Sequence, residues 1–252
     1  MAGTLKQSVS YWCYKEIPLE AFCGHVKEIG LVGVDLLDEH QWETVAAHGL
    51  TVTMCNGPGN IAQGWNDPGN HDRLTRRSEE LLPKVAAAGL PNMIVFSGNR
   101  RGRSDAEGLR CCVRGLRRIM PLAEELGVNV VMELLNSKRD HKGYMCDHTA
   151  WGVALAEELG SPRFKLLYDI YHMQIMEGDI IATLRANIAY IHHIHTGGVP
   201  GRHEIDDSQE LNYPAICRAL ADLDFGGYVA HEFVPARQPL PSLRQAYEIC
   251  SV

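Results

Sequence analysis

The stretch AYIHHIHTGGVPGRHE, residues 189–204, sets three histidines within four residues of an apolar, β-branched run and follows them with a Gly-Gly-Val-Pro-Gly loop. Side chains alternate along a strand, so His193 and His195 share one face with Ile191 while His192 faces the other way. His195 closes the run. Seven other runs of the same kind precede and follow it: QSVSYW (7–12), VGVDLL (32–37), LTVTMC (50–55), NMIVFS (92–97), VNVVMEL (128–134), FKLLYD (164–169) and GYVAHEF (227–233). Between them lie helical patterns, PLEAFCGHVKEIG (18–30), RLTRRSEELLPKVAAAG (73–89), GLRCCVRGLRRIMPLAEELG (108–127) and TAWGVALAEELG (149–160), each ending on Gly. Gly after the last helical turn is a C-cap signal. Strands that alternate with helices pair in parallel through right-handed crossovers, and eight such units in about 250 residues have the size of a (β/α)8 TIM barrel. A doubly wound open sheet is the rival, but no G-x-G-x-x-G follows the first strand, where a dinucleotide site would need it. The expectation is one parallel eight-stranded α/β barrel domain over residues 1–252.

Composition narrows the function classes. The 252 residues are 45% hydrophobic and 22% charged, ordinary values for a globular chain, and the formal net charge is −7. An acidic balance opposes nucleic-acid binding, which needs a basic face to displace counterions. No secretory-type apolar run precedes LKQSVSYW and no 18-residue apolar stretch occurs, so a cytoplasmic protein without membrane contact is expected. The eight cysteines form no C-x-x-C pair, and free thiols are expected in a chain too large to need disulfide staples.

The ends of the last four strands share a chemistry. Glu133 ends VNVVME, Asp169 ends FKLLYD, His195 ends AYIHHIH and Glu232 ends GYVAHE. All strand C-termini of a parallel barrel lie at one rim, where inward side chains of adjacent strands converge. Three carboxylates packed together repel unless a cation compensates them. A divalent metal supplies that charge, and mixed oxygen and imidazole ligation suits Mn²⁺, Mg²⁺, Co²⁺ or Zn²⁺.

These residues carry a resemblance. Glu133, YDIYHMQ (168–174), HIHTGGVPGRHE (193–204) and HEF (231–233) resemble the four-strand metal signature of the xylose isomerase-like TIM-barrel superfamily, and VPGRHEIDDSQELNYPAI (199–216) is most similar to its hydroxypyruvate isomerase family. The resemblance implies metal ligands at Glu133, Asp169, His195 and Glu232, and substrate contacts at His172 and Arg202, with Glu204 orienting Arg202 or His172. CNGPGN (55–60) is similar to that family's loop after the third strand, which adds Asn56. His195 stands where the hydroxypyruvate isomerase pattern often has Gln, and His there is the choice of the epimerase and dehydratase branches. The implied activity is isomerisation of a small hydroxy-keto acid, hydroxypyruvate to tartronate semialdehyde through an enediolate. Glu133 and Glu232 move the proton, and Arg202 grips the substrate carboxylate. The alternatives are a ketose 3-epimerase or related sugar isomerase, and a metabolite-binding barrel without catalysis. A homo-oligomer is expected by resemblance alone.

Two further loops are candidates for the substrate. The connection NGPGNIAQGWNDPGNHDR (56–73) is long for a barrel, and Trp65 either closes over the site or packs its own surface loop. SGNRRGRS (97–104) offers Arg100, Arg101 and Arg103 to an anion, or is a solvated charged loop. Trp12 and Tyr14 form another wall of the site, or core aromatics. His141, Cys146 and His148 lack ligand spacing and read as an ordinary loop.

Overall fold

The computed structural model describes residues 5–252. Eight parallel strands close into a barrel in chain order: β1 (Lys6–Ser10), β2 (Gly33–Leu37), β3 (Thr51–Cys55), β4 (Asn92–Val95), β5 (Asn129–Leu134), β6 (Phe164–Asp169), β7 (Ile191–Thr196) and β8 (Tyr228–His231). Closure is made by β8 on β1, with Ser8 opposite Ala230 and Val9 opposite His231. Among the described residues ten α-helices wrap the barrel: α1 (Leu19–Ile29), α2 (Trp42–Ala47), α3 (His71–Ala87), α4 (Asp105–Leu116), α5 (Met120–Leu126), α6 (Thr149–Leu159), α7 (Ile170–Met176), α8 (Ile180–Asn187), α9 (Tyr213–Asp222) and α10 (Pro239–Cys250). The fold is the expected single (β/α)8 TIM barrel. Among the described residues no helix is long and apolar enough to cross a membrane.

The strands are buried on both faces, which is why they read as β-branched runs and not as clean alternations. Their outward side chains meet the helices in one large cluster that includes Phe22, Val34, Leu82, Val130 and Leu243. Inside the barrel the lining divides in two. Met54, Ile94, Val131 and Leu167, from β3 to β6, form a separate apolar cluster. The opposite part carries buried polar groups: Ser8 on β1, Asp35 on β2, Thr53 on β3, and His193 and His195 on β7. Two positions keep the connections close to the strands. A Cβ on Gly57 would lie 1.8 Å from the Ile94 carbonyl oxygen, and one on Gly198 would lie 2.3 Å from that of Glu204.

Three expectations are corrected. The 108–127 pattern is two helices, α4 and α5, because Pro121 lacks an N–H and sits in the first turn of the second. Trp65 does not cover the site. It is fully buried, its backbone N–H donates to the Phe96 carbonyl at 3.1 Å, and its ring lies where α4 has Gly115, whose Cβ would come within 2.7 Å of the indole. The arginine loop is occupied by acidic partners. Arg101 and Arg103 pair with Asp67 at 3.8 and 3.1 Å, while Arg100 pairs with Asp105 and, at 3.1 Å, with Asp147. Through Asp67 the 56–73 loop and the arginine loop neutralise one another, so these arginines are not left free for an anion.

Glu204 is also placed differently. Its carboxylate turns away from Arg202 and His172 and accepts from the N–H groups of Ala236 and Arg237 at 3.1 and 3.0 Å and from the Ser242 hydroxyl at 2.8 Å. It ties the loop after β7 to the loop after β8 and to the first turn of α10. Burial pushes its carboxyl up, but these hydrogen bonds outweigh burial and hold it down at about 2. A carboxyl depressed on folding stabilises the protein above its unfolded value near 4.5, and that contribution is lost as the pH falls toward 2. Glu204→Gln is expected to lose on the order of 1–3 kcal/mol at neutral pH. In thermal melts its Tm deficit should shrink between pH 4.5 and pH 2; a deficit that stays constant across that window would exclude the linkage.

Candidate active site

Alternation along the strands builds the site. The apolar interior side chains Val131 and Leu167 are each followed two residues on by Glu133 and Asp169, and His193 is followed in the same way by His195. Glu232 lies one residue beyond β8. One ligand atom from each of Glu133, Asp169, His195 and Glu232 falls within 4.8 Å of the others, and all four residues are buried. His195 Nδ1 stands 2.8 Å from Glu232 Oε2 and 3.5 Å from Glu133 Oε1. Asp169 has a second duty: its Oδ1 accepts from the His172 backbone N–H at 3.1 Å and caps α7.

Arg202 reaches into this group. Its guanidinium donates to Asp169 Oδ2 at 3.0 Å and to Glu232 Oε2, and lies over the rings of Trp12 and Tyr171, 5.5 and 5.2 Å from their centroids. The Trp12 indole N–H donates to Glu232 Oε1 at 2.6 Å, so both oxygens of Glu232 are held. His172 is fully buried, and its Nδ1 meets the Asn136 amide nitrogen at 2.6 Å. An amide NH₂ donates, which leaves the proton of a neutral His172 on Nε2, the ring nitrogen facing Asp169 at 3.6 Å.

Burial and crowding set the charges. Burial pushes Asp169 up to about 7; Arg202 opposes this, while Glu232 and Glu133 add to it. Burial would raise Glu232 as well, but His195 and Arg202 together hold it well below the usual carboxylate range. His195 is raised well above the ordinary imidazole value against the effect of burial, by Glu232, Asp35 and Glu133. His172 is pushed far down by burial and by Arg202, which keeps it neutral.

Three carboxylates and one imidazole are a donor set that fits a hard or borderline divalent cation. The buried Nδ1 of His195 and Nε2 of His172 have no aligned hydrogen-bond partner, so both are free to meet a ligand. The fit is thus good on chemistry and on unsatisfied atoms.

Of the residues expected at the site, Glu133, Asp169, His172, His195, Arg202 and Glu232 come together. Trp65 and Glu204 do not, and Asn56 lies exposed at the β2–β3 rim with its amide on the Leu36 carbonyl and Asp38. Tyr14 is a core aromatic stacked on Phe22, whereas Trp12 is a wall of the site. His141 belongs nearer the site than its loop spacing indicated, with its ring 5.2 Å from that of His172. Asn136, Tyr171 and Asp35 went unnoticed. For Asp35 a signal existed: an acidic residue in the middle of the apolar run VGVDLL.

Comparison with known proteins agrees with this fold. The profile of the Xylose isomerase-like TIM barrel family matches residues 17–249. A 2-oxo-tetronate isomerase of Cupriavidus necator is 33% identical over 197 residues, 75% of this chain and 74% of its own. A human putative hydroxypyruvate isomerase is 25% identical over 197 residues, covering 74% and 71%. Among solved structures, an AP endonuclease, family 2, from Brucella melitensis superposes with a TM-score of 0.87 at 23% identity, over 95% of this chain and 97% of that one. With the family profile spanning nearly all of the barrel, the chain belongs to the xylose isomerase-like TIM barrel family, among its isomerases of the hydroxypyruvate isomerase type.

Proposed function

We propose that the chain is a divalent-metal-dependent isomerase of small 2-oxo-3-hydroxy carboxylates, which converts hydroxypyruvate to tartronate semialdehyde. The four-carbon homologue 2-oxo-tetronate belongs to the same substrate class, and the names of the Cupriavidus necator and human relatives support it. The observation that carries the reading is Arg202. Its guanidinium is pinned between two aromatic rings beside the four-residue group, and its Nε is buried without a partner. A planar guanidinium with donors to spare is suited to a carboxylate, which it can grip with two parallel hydrogen bonds.

Glu133, Asp169, His195 and Glu232 would hold the ion. When bound, it would polarise the substrate's carbonyl and hydroxyl oxygens and stabilise the negative charge of an enediolate. The proton traffic falls to the two glutamates. One carboxylate takes a proton from C3 of hydroxypyruvate, the C–C double bond forms as the C2 carbonyl electrons move to oxygen, and a proton is returned at C2 as the C3 hydroxyl becomes the carbonyl, its proton passing to the C2 oxygen. Trp12 on Oε1 and Arg202 on Oε2 keep Glu232 from rotating. Neutral His172 donates from Nε2 to a substrate oxygen, a role its depressed basicity suits.

A second reading, ketose 3-epimerisation, returns the proton to the opposite face of the same carbon. It is favoured by the imidazole at position 195 and by a D-psicose 3-epimerase of Enterocloster bolteae that is 25% identical over 228 residues. A neutral ketose gives Arg202 no carboxylate to grip.

Three outcomes are expected. Glu133→Gln and Glu232→Gln should each lower turnover about 10²–10⁴-fold, with circular dichroism unchanged; near-native rates would remove that residue from proton transfer. Stripping with chelator should abolish conversion of hydroxypyruvate, and reloading with Mn²⁺, Mg²⁺, Co²⁺ or Zn²⁺ should restore it, while a panel of neutral ketoses stays unconverted. Metal-restored conversion of ketoses alone would establish the epimerase reading instead. Arg202→Lys should raise KM for hydroxypyruvate on the order of 10–100-fold, the loss of a charged hydrogen bond; an unchanged KM would remove the carboxylate clamp.

A further inference from the structure

Beneath the four-residue group lies a second buried cluster, Asp35, His193 and His195. Asp35 comes from β2 and crosses the barrel interior to β7. Its Oδ1 accepts from the hydroxyls of Ser8, at 2.8 Å, and of Thr53. Its Oδ2 faces Nε2 of His193 at 2.5 Å and Nε2 of His195 at 3.3 Å. All five side chains are completely buried.

We infer that Asp35 is a positioning residue for the metal centre: it holds the proton of His195 on Nε2 and thereby turns Nδ1 toward Glu133, Asp169 and Glu232. The inference rests on the metal-dependent reading above. An ionised carboxylate only accepts, so each nitrogen facing Oδ2 must donate. A His195 that gives up its Nδ1 proton on binding an ion keeps the other proton on Nε2 and presents a lone pair at Nδ1, the atom that stands 2.8 Å from Glu232 Oε2. Ligating imidazoles generally depend on such a partner at the other ring nitrogen, which fixes the tautomer and strengthens the ligand. Ser8 and Thr53 hold Asp35 in turn, so the chain of support runs from β1 and β3 through β2 to β7.

The same three residues could be read as a second metal site, but the geometry points away from it. Four hydrogen-bonding groups already surround the Asp35 carboxylate, and the 2.5 Å separation from His193 leaves no room for an ion between them.

The test is titration of metal-stripped protein with Mn²⁺ followed by calorimetry or by the spin-resonance signal of free ion, for the wild type and Asp35→Asn. The expected result is one ion per wild-type chain, and in the folded variant an affinity lower by about 10–100-fold. An unchanged affinity in a folded variant would overturn the role of Asp35, as would two ions per wild-type chain falling to one. Absence of Mn²⁺ binding by the wild type would instead sink the metal-dependent reading itself. A measurement on the wild type covers the case in which Asp35→Asn does not fold. Long-range ¹H–¹⁵N correlation of the Zn²⁺-loaded protein should show His195 protonated at Nε2 and metal-bound at Nδ1; the opposite tautomer would overturn the inference.

Discussion

Three carboxylates converging at the rim of the barrel are the constraint around which the rest of the site is arranged. Glu133, Asp169 and Glu232 offer buried oxygens within 4.8 Å of one another. Like charges so close in a low-dielectric setting cannot all stay ionised without compensation. Asp169 shows the cost, being pushed up to about 7 by burial despite the adjacent guanidinium. Arg202 and His195 bring positive charge from two directions, and a divalent cation would take the place of the proton on His195 Nδ1. The aromatic rings on either side of Arg202 and the indole bond to Glu232 then look like consequences: groups under this much electrostatic stress must be held in place.

What could be read from the sequence, and what could not, follows from the range of the interaction involved. The barrel was legible because strand and helix periods repeat, and Glu133, Asp169, His195 and Glu232 were legible because each sits at the same place in its strand. His172 and Arg202 came from a motif match and fall beside that group. Trp65 misled because loop length suggests a lid, whereas its fate was decided by a gap in a distant helix, at Gly115. Glu204 misled in the same way, since its partners Ala236, Arg237 and Ser242 lie more than thirty residues on. Asn56 matched a local pattern, yet its amide finds Asp38 on the neighbouring loop. Asp35 had no spacing to announce it. The acidic residue within VGVDLL stands out in the sequence, but its partners are fixed only when β7 lies opposite it.

The two-sided interior also separates tasks. Met54, Ile94, Val131 and Leu167 fill one half with packing, which tolerates exchange of similar shapes. The other half is a hydrogen-bonded network in which every group depends on the next, so a loss in one place leaves an unsatisfied partner in another.

That polar half is built from the two ends of the strand order. Ser8, Trp12 and Asp35 come from β1, the turn that follows it, and β2; His193, His195 and Glu232 come from β7 and the end of β8. They are separated by more than one hundred and fifty residues of chain, as in the Asp35–His193 pair, and meet only when β8 docks on β1. Until β7 and β8 are in place, Asp35 has only its Ser8 and Thr53 partners and the Trp12 indole lacks Glu232. Ring closure and assembly of the chemistry are therefore one event, and a chain stalled short of β8 would carry three of its four prospective ligands without the geometry to use them.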